Sequence, residues 1–414
     1  MKYFKNYIIF LLLYFSLLIG FYYNENLNFG AYSDWVSVYV PPINDFQNNF
    51  KDTILNYDNY GQRHSPIYLI FLSILKKIGF SFDAIRLIHL HLCLTLILIF
   101  YKCLKLKFKE INLSTLQILS FVIFLSPTFR SLSIWPDSRL PGLIFFTYSV
   151  FFFLKFLNQS KNIDAWYSAL FLIFSSYISP NFSIFGFYYY FIYFKRMNFI
   201  NFFKLFIFSS LVSIPILYYL FVMDVNFLIA GNTPGSDGDS VNLNFNYSNK
   251  ILLISSIILF HSIPVIAPIL ELKKILYIIK KYYLYVIVTT LLLFNFFNYQ
   301  IGFTGGGVFF QISQYLFDNN YLFLFVCFIS ILFISFLKDL SFQNLILIIL
   351  LIISNIQNTI YHKYYEPLIL IMLFTIFKNL DFEKYFKYKN SILILYLFSA
   401  FYIFLRIVKN NFII

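Results

Sequence analysis

The chain has 414 residues, 60% hydrophobic and only 12% charged, with a net charge of +13. Apolar runs of about 17 to 22 residues recur along it, which excludes a soluble globular domain and predicts an all-α, polytopic membrane protein. The positive charge would point to nucleic acid in a soluble chain. Here the Lys and Arg residues sit mainly in short loops between apolar runs, where they set topology, so no nucleic-acid partner is expected.

Lys2 and Lys5 precede a first helix over about 7–23. No small-residue cleavage pattern follows Gly20, so this run reads as an anchor with its N-terminus in the cytoplasm. The stretch 24–79 then lies outside. It includes a loop of roughly 40 residues, far longer than a hairpin between membrane helices needs, and long structured loops tend to be functional. Its end, His64 to Gly79, is apolar but short and closes on Lys76 and Lys77. With Ser65-Pro66 as a helix start, it reads as an amphipathic helix on the outer membrane surface.

Helices are predicted over about 84–104, 113–134, 139–157, 165–179, 182–194 and 205–222, with the Lys clusters at 102–109, 155–161 and 195–204 on the cytoplasmic side. A second outer loop, 223–250, carries the Gly/Asp/Ser-rich segment GNTPGSDGDS. Helices over about 251–270 and 282–297 flank Lys273, Lys274, Lys280 and Lys281. A third outer loop spans 298–320, and helices over about 321–337, 343–357, 365–378 and 391–408 complete the chain. This path has about 13 transmembrane helices in one domain over 1–414, with every dense Lys cluster on one side. No internal repeat is visible. Cys93, Cys103 and Cys327 are odd in number and lack CxxC spacing, so neither a disulfide framework nor a metal site is expected.

Three clusters at outer helix ends could carry chemistry. Asp34, between Tyr32 and Trp35, would be partly desolvated by its aromatic neighbours and suited to general-base work; the alternative is a solvated loop acid or a cap. Asp45, Asp52 and Asp58 lie in a more polar context and read mainly as solvated or capping residues, whereas Arg63 and His64 stand directly ahead of the surface helix. Arg130, Asp137 and Arg139 surround Trp135. Forked guanidinium donors match a lipid phosphate, and a capped, salt-bridged turn is the equal alternative. His362, Lys363, Tyr365 and Glu366 precede Pro367, where an anionic headgroup or interfacial snorkelling would account for outer-face positive charge. Gly305-Gly306-Gly307 permits close backbone approach. His89, His91 and His261 read as packed histidines.

The order of these features resembles the GT-C superfamily of membrane glycosyltransferases, which includes the lipid A aminoarabinose transferases and protein O-mannosyltransferases. The matching parts are GAYSDW at 30–35, RHSPIYLIFLSILKKIGF at 63–80 and SPTFRSLSIWPDSRLPG at 126–142, with YHKYYEPL at 361–368 similar to a late outer-face motif. The likeness is strongest over the first 160 or so residues. Two departures stand out: Trp35 replaces the second acid of the pair common in the family, and His64 stands where some relatives carry an acid.

The resemblance implies an inverting transfer of one sugar from a polyprenyl-phosphate donor to a glycan, lipid or protein acceptor at the periplasmic face of a bacterial inner membrane. Asp34 would be the catalytic base. Arg63, His64, Arg130, Asp137, Arg139, His362, Lys363, Tyr365 and Glu366 would bind substrate, without a cofactor. The competing readings are a flippase or transporter of a lipid-linked glycan, and a polysaccharide polymerase. A transporter predicts ionisable groups within the spans, Gly/Pro-broken helices or an inverted repeat.

Overall fold

The computed structural model describes residues 2–28, 30–61, 64–223, 246–300, 305–355 and 359–413. Among them 82% of residues are helical and none form strands. The chain divides into two units, Met1–Leu243 and Asn244–Ile414.

In the first unit, α1 (Lys2–Tyr22) is followed by short helices: α2 (Gly30–Asp34), a π turn over Trp35–Tyr39, α3 (Val40–Asn48), α4 (Phe50–Leu55), a 3-10 turn over Tyr57–Tyr60 and α5 (Ile67–Lys77). The long first loop is thus folded. Tyr57 and Leu72 are fully buried and Phe46 nearly so, while Phe71 and Ile74 on α5 stay exposed. An apolar face turned inward and apolar side chains turned outward suit a helix lying on a membrane surface.

Next come α6 (Phe82–Cys93), α7 (Thr95–Lys107) and α8 (Leu113–Phe121), which ends in a 3-10 turn, Val122–Leu125. Then follow α9 (Pro127–Ile134), α10 (Arg139–Gln159), α11 (Asn162–Ile178), α12 (Gly186–Arg196), α13 (Phe199–Ser213) and α14 (Pro215–Phe221). The single helix expected over 113–134 is two, bent by 67°. Pro127 cannot donate to the preceding turn and pushes Ser126 out of the α region. Ser126 is accordingly extended, and its hydroxyl accepts from the Phe129 N–H at 3.0 Å as an N-cap. The break turns α9 into the interior, where every residue from Pro127 to Ile134 is buried despite Thr128, Arg130, Ser131 and Ser133.

The second unit comprises α15 (Tyr247–Ile266), α16 (Leu272–Asn295), α17 (Gly307–Phe317), α18 (Tyr321–Leu340), α19 (Phe342–Ile353), α20 (Leu368–Thr375), α21 (Phe382–Lys387) and α22 (Ser391–Val408), the last continued by a π turn over Lys409–Ile413. Three expectations change here. The loop 298–320 contains α17. The helix expected over 282–297 starts at Leu272, so Lys273, Lys274, Lys280 and Lys281 lie on it. That expected over 365–378 is only eight residues long, too short to cross a bilayer at 1.5 Å per residue. Of the loop 223–250, residues 224–245 lie outside the described residues and Tyr247–Lys250 open α15.

Among the described residues, seven helical segments are long and apolar enough to cross a membrane: Phe82–Lys107, Arg139–Gln159, Phe199–Phe221, Tyr247–Ile266, Leu272–Asn295, Tyr321–Leu340 and Ser391–Asn411. The bent pair 113–134 raises the number to eight. The protein is a helical membrane protein.

Candidate functional site

In the first unit the chemistry-bearing residues converge on the turn between α9 and α10. Trp135 stacks under Arg86, whose guanidinium carbon lies 3.6 Å from the ring centroid, and meets Tyr32 of α2 edge-on at 4.8 Å. Its indole N–H donates to the Glu25 carbonyl at 3.0 Å. Three residues on, the Ser138 N–H donates to the Tyr39 hydroxyl at 2.9 Å, and that hydroxyl donates to Ser138 Oγ at 3.1 Å. The helical run carrying Asp34 therefore touches the turn through Tyr32 and Tyr39. Asp34 itself is half-exposed at the junction of α2 and the π turn.

Burial among Asp137 and its neighbours pushes the Tyr39 phenol well above its ordinary pKa, so it serves as a neutral hydrogen-bonding strut. Tyr39→Phe would leave the buried Ser138 N–H without its acceptor. We expect it to cost about 1–3 kcal/mol, read as a lower unfolding temperature of the detergent-solubilised protein.

Asp137 is buried, and its two oxygens accept from the Arg139 backbone N–H at 2.8 Å and from Arg139 Nη1 at 3.0 Å. That is the capped, salt-bridged turn. Arg130 is also engaged: Nε and Nη2 each lie 2.6 Å from the Glu25 carboxylate, and Nη1 and Nη2 reach the Ser16 hydroxyl and carbonyl at 3.1 and 3.0 Å. Arg130 thus has an internal carboxylate partner that sequence reading missed. His64 Nδ1 pairs with the Ile178 carbonyl at 3.2 Å. Arg63 lies outside the described residues. Asp45, Asp52 and Asp58 are exposed, with Asp45 accepting from Tyr60 and Asp52 bonded to Asn56.

His89 is a satisfied core histidine, between the Tyr68 hydroxyl and the Leu132 carbonyl at 2.8 Å each. His261 is packed too, with a second histidine as its partner.

In the second unit, His261 Nε2 lies 3.4 Å from His362 Nδ1, and His362 Nε2 accepts the Val308 N–H at 3.0 Å. Glu366 completes a group whose ligand-capable atoms all lie within 4.8 Å of one another. The Gly305–Gly307 run, with φ between +78° and +114°, brings Val308 to the imidazole; those angles favour glycine. Tyr365 is fully buried toward Asn355, and Lys363 lies over the Tyr361 ring at 5.4 Å.

A metal does not suit this donor set. The Val308 N–H requires an unprotonated Nε2, which leaves the proton of neutral His362 on Nδ1, the atom that faces His261. A metal on Nδ1 would need that proton on Nε2, against the backbone donor. Desolvation, then His261, Arg406 and Lys409, hold His362 well below the usual imidazole pKa. The unfolded chain thus takes up a proton below pH 6.5 that the folded chain refuses. Stability is fully present above that pH and falls below it, by up to about 1.4 kcal/mol per pH unit from this residue. Unfolding temperatures at pH 7.5 and 5.5 check this: His362→Gln should flatten the decline.

No protein-family model matches the chain, and no curated protein or solved structure is significantly similar to it.

Proposed function

We propose that the chain is an inverting glycosyltransferase that takes a sugar from a polyprenyl-phosphate donor at the outer face of a bacterial inner membrane. The observation that supports this most is the placement of Asp34: half-exposed, on a folded helical run whose Tyr32 and Tyr39 touch the turn that carries Asp137 and Arg139. It precedes a π turn, a local irregularity frequent at functional sites.

The acceptor oxygen attacks C1 of the sugar as the C1–O bond to phosphate breaks, with the electron pair leaving on the polyprenyl phosphate. Asp34 takes the acceptor proton. Arg63 and Arg139 supply positive charge for the departing phosphate, and Asp137 supplies negative charge for an oxocarbenium-like sugar. His64 remains a candidate substrate contact, and Arg130 acts through Glu25 as a support. Outward placement of the first loop rests on the Lys distribution. About thirteen crossings exceed the described spans even when the shorter apolar helices Asn6–Tyr22 and Phe342–Ile353 are added.

A flippase or transporter of lipid-linked glycan is the second reading. Buried Arg86, Arg130 and Lys409, the break at Pro127 and Pro264 inside α15 are features that such a protein uses. Purified protein incubated with labelled polyprenyl-phosphate sugars and total membrane lipid separates the two. Label that moves covalently to a new product supports the transferase. Intact donor that only changes leaflet in proteoliposomes supports the transporter.

A further inference from the structure

Tyr402, Arg406 and Lys409 follow one another at helical spacing along α22 and its π extension, on one face. The Tyr402 ring lies 5.8 Å from that of His261 and 5.9 Å from that of His362, and Arg406 sits 5.8 Å from the Tyr402 centroid. Lys409 is only 8% exposed, and its ammonium donates to Gln311 Oε1 on α17 at 3.2 Å. Among the described residues no carboxylate pairs with it.

The local charge is unbalanced. The histidine pair is uncharged, because His362 Nε2 accepts from Val308 and His261 Nε2 accepts from His362. Among the described residues Glu366 is the one carboxylate beside the two cations, so these residues leave one positive charge over in a buried cluster. The cluster also lies within the length of two apolar helices, α15 and α22, that are long enough to cross a membrane. An uncompensated buried charge there is costly, and intramembrane ionisable groups mark ligand pathways. A bound monoanion would restore neutrality.

We propose that Lys409 and Arg406, with Gln311, bind the phosphodiester headgroup of a membrane lipid. A phosphodiester carries one negative charge and acceptor oxygens for both cations. Leu397, Phe401, Phe404 and Ile407 leave α22 with an exposed apolar flank along which a lipid tail packs. The site stands on residues of the second unit alone and does not depend on sugar transfer.

The test is binding of tritiated phosphatidylglycerol to the purified full chain in detergent, with diacylglycerol as the uncharged control and a polyprenyl-phosphate sugar as competitor. Saturable binding near one lipid per chain is expected. Lys409→Met should weaken it roughly tenfold or more, Lys409→Arg should retain it, and diacylglycerol should not compete. Stronger competition by the polyprenyl-phosphate sugar than by unlabelled phosphatidylglycerol would identify a lipid-linked sugar as the source of the phosphodiester, and equal competition a bulk phospholipid. Unchanged binding by a folded Lys409→Met protein would overturn the proposal, as would competition by diacylglycerol. So would one divalent metal per chain, by elemental analysis, that is lost in His362→Gln and kept in Lys409→Met.

Discussion

Asp34→Asn is expected to lower sugar transfer by about two to four orders of magnitude, the range of a positioned general base, with little change in unfolding temperature. The carboxylate is half-exposed at a helix junction, so replacing one oxygen by an amide removes the base and almost no packing. Donor affinity should survive, because the cationic side chains assigned to the phosphate are untouched. Turnover within a fewfold of wild type would remove Asp34 from the mechanism, and with it the observation on which the transferase reading chiefly rests.

Arg130→Leu is expected to have the largest effect on stability. It strands the Glu25 carboxylate, which is 21% exposed and otherwise held by two 2.6 Å contacts, and it releases the Ser16 carbonyl within α1. Removing one partner of a buried pair costs about 3–5 kcal/mol. Gly20 fits the same account: a Cβ there would lie 2.5 Å from a Glu25 oxygen and 3.0 Å from Arg130 Nη2, so α1 approaches the pair only without a side chain. Lysine cannot reproduce the forked contact, and Arg130→Lys should recover little of the loss. Unfolding curves in detergent decide it. A variant that unfolds like wild type and loses only donor affinity would return Arg130 to the phosphate-binding role expected from the sequence.

Hydropathy made the helical class and several long helices legible, with 391–408 recovered as α22 and 139–157 extended only to Gln159. It failed where apolar character continued through a backbone break. Ser126-Pro127 was a readable N-cap and N1 pair, but the apolar residues on both sides masked it, and the buried α9 was folded into a span. The helix expected over 205–222 is, by contrast, part of one candidate span, Phe199–Phe221, in which Ile214-Pro215 separates α13 from α14.

Among the candidate residues, residue type did not announce partners. Asp137 and Arg139 were near in sequence, and their pairing was foreseeable. Glu25 and Arg130 are 105 residues apart, and nothing in either segment announces the other. His261 read as a packed histidine because its partner, His362, lies 101 residues away. Arg406 and Lys409 lie at the end of the last expected helix, 391–408, and were not singled out there. Only the three-residue spacing that places Lys409 on the face of Arg406 hinted at a shared role.

The most direct test of the transferase account is to reconstitute wild-type and Asp34→Asn proteins in proteoliposomes with labelled polyprenyl-phosphate sugar and to record covalent transfer and leaflet exchange in the same vesicles. The account predicts label in a new glycosylated product with the wild type, its near loss with Asp34→Asn, and no acceleration of donor exchange between leaflets by either protein. Intact donor that crosses the bilayer with the wild type, with no labelled product, would contradict it and make the protein a transporter.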